Sequence, residues 1–155
     1  MPHLIGLISD THGLVRPDVH LALAGVELIL HAGDVGGEAI LLELGAIAPV
    51  EAVYGNTDPS YPRLPQSIER VFDGVRVHVS HGHELGRPKP AQLAELYDAD
   101  VVVYGHTHRQ VIEQVGHQLI INPGAAGPRR FDLAPSVALL RIADGRATAE
   151  LVPIG

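Results

Sequence analysis

Seven residues that can bind metal ions follow short apolar runs of this 155-residue chain: Asp10, His12, Asp34, Asn56, His81, His106 and His108. Carboxylate, imidazole and amide groups together suit intermediate divalent metals such as Mn, Fe, Co, Ni or Zn. The four histidines argue against a Mg or Ca site, because those ions prefer cages made of oxygen atoms alone. The residue types therefore predict a transition-metal site.

The number of these residues predicts two ions rather than one. A catalytic ion keeps one coordination position open, so seven protein ligands are too many for a single ion. Two ions that share a bridging carboxylate can use all seven. Such ions, roughly 3.5–4 Å apart, activate a water molecule between them and hold the oxygens of a phosphoryl group during in-line displacement. We predict two divalent ions per chain, with Mn as the first choice and Fe, Ni, Co or Zn as alternatives.

The spacing of these residues indicates which strands must position them. Residues 28–31 form a mostly apolar run that leads to Gly33, Asp34 and a glycine-rich turn, which is typical of a buried parallel strand opening into a loop. Four other runs end in the same way, and the loops begin at positions 10, 34, 56, 81 and 106. These intervals suffice for a strand and its return to the same edge of a sheet. Five loops should therefore meet at one rim, where open α/β sheets bind ligands.

The order of the remaining elements predicts an α/β (α+β) fold. The first half alternates strands at 4–9, 28–31 and 50–54 with helices that begin at 17 and 38. The second half contains a buried strand at 101–104 and three hairpins, at 67–71 with 75–80, 111–115 with 119–122, and 137–142 with 147–152. A helix from Pro90 to Tyr97 should bury Leu93 and Leu96. Two mixed β-sheets packed face to face, with the helices outside, would bury these apolar faces.

Composition and charge limit the class of protein. The 155 residues suit one domain, residues 1–155, and the hydrophobic content of 46% fits a globular chain. A net charge of −7 argues against a nucleic-acid groove or an anionic membrane surface as the main partner. The absence of cysteine excludes disulfides and thiolate-bound zinc. The start of the chain has no basic leader, and no apolar run approaches the ~20 residues of a membrane span, so we expect a cytoplasmic protein.

The motifs carry a resemblance to a known family. In chain order they are Asp10-Thr11-His12, Gly33-Asp34, Gly55-Asn56, His81-Gly82-His83 and Gly105-His106-Thr107-His108. This series resembles the calcineurin-like metallophosphoesterase superfamily. The short chain and the later Asn122-Pro123-Gly124 are similar to its small prokaryotic phosphodiesterase branch. The resemblance implies a four-layer α-β-β-α sandwich and a metal-dependent phosphodiesterase that acts on a small-molecule phosphoester.

The same resemblance implies which residues hold each ion. One ion would be bound by Asp10, His12, Asp34 and His108. The other would be bound by Asn56, His81 and His106, with Asp34 bridging the two. Asn56 would also take part in catalysis.

One position departs from the pattern of the family. Larger members place a histidine directly after the metal-binding asparagine, where it is thought to assist the leaving group, but this chain has Thr57. Threonine cannot act as a general acid near neutral pH. We therefore expect diesters with good leaving groups to be better substrates than monoesters. His83 is the first candidate for a replacement proton donor, and Asp58 is the second.

Other polar residues have simpler interpretations. We expect His31 to support the metal loops from behind, with a role as ligand as the alternative. Exposed arginines and lysines are usually solvated surface groups, and phosphate binding is the alternative for Arg87, Lys89, Arg129 and Arg130.

Two other functions stay open at this point. The same fold serves a non-catalytic, protein-binding scaffold subunit of the retromer type, although such a chain should have lost some ligands and this one has all seven. A dinuclear hydrolase of a non-phosphate ester would carry the same ligands. A homo-oligomer is also compatible with the sequence.

Overall fold

A computed structural model describes residues 2–58, 64–130 and 132–155. Its strands are β1 His3–Ile8, β2 Leu28–His31, β3 Val50–Ala52, β4 Ser67–Phe72, β5 Val75–Ser80, β6 Val101–Val103, β7 Val111–Val115, β8 Gln118–Asn122, β9 Ser136–Ala143 and β10 Arg146–Pro153. The helices are α1 Pro17–Ala22, α2 Glu38–Gly45 and α3 Pro90–Leu96, and a short 3-10 helix covers His83–Leu85. In the described part of the chain, no helix has the length and apolar character needed to span a bilayer.

The first sheet combines parallel and antiparallel strands in the order β10-β9-β1-β2-β3. The strands β1, β2 and β3 run parallel, whereas β9 is antiparallel to both of its neighbours. Parallel strands have their carboxyl ends at the same edge of a sheet. The loops that follow Ile8, His31 and Ala52 therefore leave the sheet at one edge, as predicted.

The second sheet has the strand order β4-β5-β6-β8-β7. Its three inner strands, β5, β6 and β8, run parallel, and the two outer strands are antiparallel to their neighbours. The loops after β5 and β6 carry the two histidine motifs, at 81–83 and 105–108. Both sheets are thus mixed, as predicted.

The two sheets pack face to face across an apolar core. Both sheets contribute buried side chains to it, among them Leu7, Leu30, Val79, Val103 and Ile121. A second cluster joins the outer face of the first sheet to α1 and α2, through residues that include Val19, Leu23, Ile40 and Leu44. On the far side, α3 covers the second sheet through Leu93. The layers therefore follow the order α-β-β-α, as the resemblance implied.

The prediction for α3 was wrong at one residue. Leu93 is fully buried, but Leu96 is 52% exposed. The helix ends at Leu96, and the backbone of Tyr97 is extended, with φ of −114° and ψ of 126°. The ring of Tyr97 then stacks on that of His78, with the centroids 3.9 Å apart. Tyr97 therefore takes the inward position that the helical spacing assigned to Leu96.

Candidate metal centre

The loops of the first sheet are held together by backbone hydrogen bonds. The N–H of Asp10 donates to the carbonyl of Gly33, and the N–H of His12 donates to the carbonyl of Asp34, each at 3.0 Å. The loop after β3 joins them, because the N–H of Thr57 donates to Oδ1 of Asp34 at 2.9 Å. Three loops therefore meet around the carboxylate of Asp34.

The loops of the second sheet reach the same place. Nδ1 of His81 donates to the carbonyl of Ala32 at 2.7 Å, and the N–H of His106 donates to Oδ2 of Asp10 at 3.1 Å. Oδ1 of Asn56 lies 3.1 Å from Nε2 of His81 and 3.2 Å from Nδ1 of His106. The edges of both sheets thus form the single rim that the spacing predicted, and all seven predicted ligands lie on it.

Six of the seven residues form two groups of three, in which one donor atom per residue lies within 4.8 Å of the others. The groups are Asp10 with His12 and His108, and Asp34 with His81 and His106. Asn56 adds its oxygen to the second group. Oδ2 of Asp34 lies 3.3 Å from Nε2 of His81 and 3.6 Å from Nε2 of His12, so this carboxylate faces both groups.

Two buried atoms in the first group, Oδ1 of Asp10 and Nε2 of His12, have no hydrogen-bond partner among the described residues. Nε2 of His108 comes within 3.2 Å of Oδ1 of Asp10, and Nε2 of His12 within 3.7 Å, but neither contact has hydrogen-bond geometry. An unsatisfied buried polar group costs roughly 1–3 kcal/mol. Donor atoms that approach one another without bonding are suited to a cation held among them.

The histidines and carboxylates shift one another's pKa values. Burial alone would raise the pKa of Asp10 and of Asp34, but contacts with the neighbouring histidines outweigh burial and lower both, that of Asp34 to about 2. Burial would lower the pKa of His81, but its contact with Asp34 and the charge of Asp10 raise it. Burial and the neighbouring His81 lower the pKa of His106. Both carboxylates are therefore ionised at neutral pH and able to bind a cation.

Five of the predicted ligands have left-handed backbone conformations, with φ from 45° to 69°: Asp10, His12, Asp34, His106 and His108. This region is unfavourable for residues other than glycine, although Asp and His enter it more readily than most. Backbone strain of this kind costs of order 1–3 kcal/mol per residue and is concentrated at functional sites. The surrounding loop contacts must therefore stabilise these conformations.

Glycines at 55 and 105 allow the loops to pack closely against the two carboxylates. A Cβ on Gly55 would overlap the carboxylate and the backbone nitrogen of Asp34. A Cβ on Gly105 would overlap Oγ of Ser9 and crowd the carboxylate of Asp10. Each glycine thus allows a neighbouring loop to approach one of the two carboxylates.

This geometry agrees with the comparison of the sequence with known families. Residues 4–145 match the model of the calcineurin-like phosphoesterase superfamily domain. The chain belongs to this superfamily. A probable metallophosphoesterase of Methanothermobacter thermautotrophicus is 40% identical over an alignment of 162 positions, gaps included, which covers 98% of this chain and 93% of the relative. A phosphodiesterase of Methanocaldococcus jannaschii is 32% identical over 139 residues, which cover 77% of this chain and 82% of the relative.

The fold of this calcineurin-like domain also occurs in solved structures. Vacuolar Protein Sorting 29 from Cryptosporidium parvum superimposes with a TM-score of 0.82 at 22% sequence identity, and the match covers 97% of each chain. At this level of identity the likeness concerns the fold alone. It confirms the predicted sandwich of two mixed sheets.

His83 lies at the edge of the calcineurin-like site. Its ring centroid is 5.4 Å from that of His81 and 6.4 Å from that of His106. Its Nδ1 is buried without a hydrogen-bond partner among the described residues, and the nearest carboxylate oxygen, from Glu84, is 3.6 Å away. The first candidate for a proton donor is therefore close to the second ligand group.

Asp58, the second candidate, is hydrogen-bonded to the backbone of two loops. Its Oδ1 accepts the N–H of Gly36 at 3.1 Å, and its Oδ2 accepts the N–H of Gly55 at 2.8 Å. Backbone donors thus bind both oxygens, and Asp58 joins the loops after β2 and β3.

Two further residues support the ligands and were not predicted to do so. Oγ of Ser9 donates to Oδ2 of Asp10 at 2.6 Å. The amide of Asn122 donates to the carbonyl of Gly105 at 3.2 Å and to the hydroxyl of Thr107 at 3.1 Å. Both are polar residues at the ends of buried strands beside the motifs. This placement in the sequence could have identified them as supporting residues.

Proposed function

We propose that this member of the superfamily is a phosphodiesterase that uses two divalent metal ions and acts on a small-molecule substrate. The observation that carries this proposal is the pair of buried atoms without partners, Oδ1 of Asp10 and Nε2 of His12. Nearly all buried polar atoms in proteins have a partner. An ion bound among the ionised carboxylates and histidines would provide one for both atoms.

Each ion would have its own ligands. We assign Asp10, His12 and His108 to one ion and Asn56, His81 and His106 to the other, with Asp34 shared between them. The mixture of donors fits Mn first, with Fe, Ni, Co or Zn as alternatives. When bound, the two ions would supply the Lewis acidity that activates an attacking water and neutralises charge on the phosphoryl oxygens.

The hydrogen bonds around Asp34 suit it to the shared position. Its Oδ1 accepts the N–H of Thr57, so Oδ2 is the oxygen that faces His12 and His81. His81 donates from Nδ1 to the carbonyl of Ala32 and thus directs the lone pair of Nε2 toward Asp34. A backbone carbonyl that fixes the far nitrogen is usual for histidines that bind metals.

The preference for good leaving groups follows from the need to protonate the leaving group. Hydrolysis joins the oxygen of water to phosphorus, and the leaving oxygen departs with the electrons of its bond. That oxygen requires a proton unless its conjugate acid is strong. Thr57 cannot provide the proton, and His83 lies near the site but at its edge. Diesters with acidic leaving groups should therefore react faster than alkyl monoesters.

The test combines metal content with a panel of esters. The chain loaded with Mn should contain about two equivalents of metal and should hydrolyse bis(4-nitrophenyl) phosphate, and a chelator should abolish both. His108→Ala should lose metal and activity, whereas the matched change at an exposed histidine, His117→Ala, should retain them.

Each alternative has its own outcome in the same test. A reproducible value near one equivalent would contradict the two-ion centre. A chain that binds metal but cleaves no ester would support the non-catalytic scaffold. Hydrolysis of 4-nitrophenyl acetate without hydrolysis of any phosphoester would support the non-phosphate hydrolase.

A further inference from the structure

A cavity of about 430 Å³ lies directly beside the candidate metal centre. The segment His106-Thr107-His108 lines it and also provides two of the proposed metal ligands. The cavity and the metal centre therefore share a wall. A molecule with one group at the metal centre could place another part in this cavity.

The cavity is positively charged in a chain that is negative overall. Four cationic side chains line it, and no carboxylate among the described residues does: the cations are Arg87, Lys89, Arg109 and Arg130. The whole chain has only 11 Lys and Arg residues against 18 Asp and Glu, with a net charge of −7. Chance placement of surface charge would favour acidic groups here. The charge of the cavity lining is therefore opposite in sign to the net charge of the chain.

Within residues 2–58, 64–130 and 132–155, these four cations have no carboxylate partner and are available to a ligand. Elsewhere, Arg70, Arg76 and Arg141 form ion pairs with carboxylates. In the described part of the chain, which includes every carboxylate, no such pair involves a cation of the cavity. Arg129, adjacent to Arg130, does not line the cavity.

The backbone around two of the cations is restricted. Pro88 follows Arg87 and Pro90 follows Lys89, and a residue before proline is confined to extended conformations. Lys89 has such a conformation, with φ of −95° and ψ of 153°. Pro88 is itself buried. The segment therefore presents its charges with a smaller loss of backbone entropy on binding than a flexible loop would.

The rest of the lining is apolar. Tyr104, Val111, Leu133 and the two prolines form much of the wall between the charged groups. A cavity of this size accommodates an organic group and not only a single ion. The lining thus suits a carbon skeleton that ends in an anion.

We propose that this cavity binds a second phosphoryl group of the substrate. The substrate class is then a phosphodiester in which one alcohol substituent carries a further phosphate. The reacting diester lies at the metal centre, and the terminal phosphate is bound by Arg87, Lys89, Arg109 and Arg130. Arginine and lysine form charge-assisted hydrogen bonds to phosphate oxygens. This proposal rests on the proposed phosphodiesterase function and specifies the substrate.

A matched pair of esters tests this substrate class. One is 4-nitrophenyl 3-phosphonopropyl phosphate, and the other is 4-nitrophenyl 3-hydroxypropyl phosphate. Both release 4-nitrophenolate, so they differ only in the terminal group. The Mn-loaded enzyme should have a KM for the phosphono ester that is ~10-fold lower or more, because hydrogen bonds to charged groups are strong. The preference should weaken as ionic strength rises.

Substitutions test whether the cavity causes the preference for the phosphono ester. Arg87→Gln and Arg130→Gln should each reduce the ratio of the two KM values toward one. Arg146→Gln is the matched control, because Arg146 is exposed on β10, away from the cavity lining. Equal KM values for the two esters in the unmodified enzyme, with both hydrolysed, would overturn the cavity proposal and leave the phosphodiesterase function intact.

A binding measurement tests the anion site without requiring the chain to hydrolyse an ester. Phenylphosphonate is titrated calorimetrically into the metal-free chain, so that no metal ion competes with the cavity for the phosphonate. Binding should be weakened several-fold by Arg87→Gln and unaffected by Arg146→Gln. Such binding in a chain that hydrolyses neither ester would retain the anion site and reject the proposed function. No binding, or equal binding by both variants, would reject the anion site.

Discussion

Nε2 of His31 donates a hydrogen bond to the hydroxyl oxygen of Thr11, 2.9 Å away, behind the candidate metal centre. The direction is fixed because the hydroxyl hydrogen of Thr11 is already donated to the carbonyl of Val35 at 2.7 Å. The other nitrogen of His31 accepts the N–H of Gly33 at 3.1 Å. His31 is therefore a neutral histidine with its proton on Nε2, and it joins the loops that carry the two carboxylates.

Replacing His31 by leucine should destabilise the chain. His31→Leu leaves the buried N–H of Gly33 without its acceptor and Thr11 without its donor, so we expect the free energy of unfolding to fall by about 1–3 kcal/mol. Denaturant titration in the presence of a chelator measures this without a metal contribution. His117→Leu, at an exposed histidine, should change the value by less than about 0.5 kcal/mol. Equal effects of the two substitutions would show that the His31 bonds add no stability.

The same residue should make stability depend on pH. Burial lowers the pKa of His31 to about 4, although the charge of Asp10 opposes the shift. The unfolded chain therefore binds the proton first, between about pH 6.5 and 4, and stability must fall as the pH falls through this range. The difference in unfolding free energy between the wild type and His31→Leu should accordingly shrink from pH 7 to pH 5. An unchanged difference would contradict the buried, neutral state of His31.

The position of the candidate site could be predicted because each proposed ligand lies in a loop that follows a strand within about five residues. The runs before Asp34 and His106 are apolar throughout most of their length and lead to a glycine, which marks both the strand and its end. Parallel strands then bring these ends to one edge. Residue types alone indicated metal chemistry, because aspartate and histidine are concentrated in those loops.

The details within the loops depend on contacts that the local sequence does not contain. The left-handed backbone of His12 is accompanied by a hydrogen bond from its N–H to the carbonyl of Asp34, which is distant in sequence. Leu96 is exposed, whereas the neighbouring Tyr97 stacks on His78 of another element. Arg109 likewise lines a cationic cavity because the fold brings together three segments that are separate in the sequence.

Adding a methyl group to Gly55 should disturb the site. Gly55→Ala places a Cβ where Oδ1 and the backbone nitrogen of Asp34 already lie. We expect a loss of about 1–3 kcal/mol in unfolding free energy, together with weaker metal binding. The matched control is Gly45→Ala at the end of α2, where no atom of the described residues lies within 4 Å of the new Cβ. That change should stabilise the chain by about 0.4–1 kcal/mol. Denaturant titration of both variants measures the two changes in unfolding free energy. Changes of the same sign would contradict this prediction.

Substituting Asp34 should affect both proposed ions. In Asp34→Asn the amide oxygen can still accept the N–H of Thr57, which turns the NH₂ group toward His12 and His81. An NH₂ group is a hydrogen-bond donor and a poor metal ligand. Bound metal should fall well below two equivalents, and affinity should fall by ~10-fold or more. Elemental analysis measures this, with Asp98→Asn as an exposed control.

The comparison with His12→Ala separates a bridging role from a role at one ion. If Asp34 is shared, its loss should reduce activity more than the loss of His12, which belongs to one group. Nearly normal turnover in Asp34→Asn, beside an inactive His12→Ala, would show that Asp34 does not bridge.

The last prediction concerns the proton for the leaving group. Thr57 is exposed, and its contact with Asp34 is made by the backbone N–H, so Thr57→His keeps that bond and adds an imidazole beside Asn56. General acid catalysis is typically worth ~10²–10⁴-fold, and it helps most where the leaving group is a poor one. The rate on alkyl monoesters should therefore rise relative to that on aryl diesters. Steady-state rates on both ester classes, in a variant shown to retain its metal, measure the ratio.

An unaltered ratio would mean that another residue already supplies the proton. His83 is then the group to test, because its ring lies 6.4 Å from that of His106 and its Nδ1 has no partner in the described part of the chain. His83→Ala should in that case reduce the rate on alkyl esters and spare aryl esters, whose leaving groups depart without a proton. His20→Ala, at a histidine paired with Glu43 on the helical side of the first sheet, is the matched control. If Thr57→His and His83→Ala both leave the ratio unchanged, the leaving oxygen takes no proton from either position.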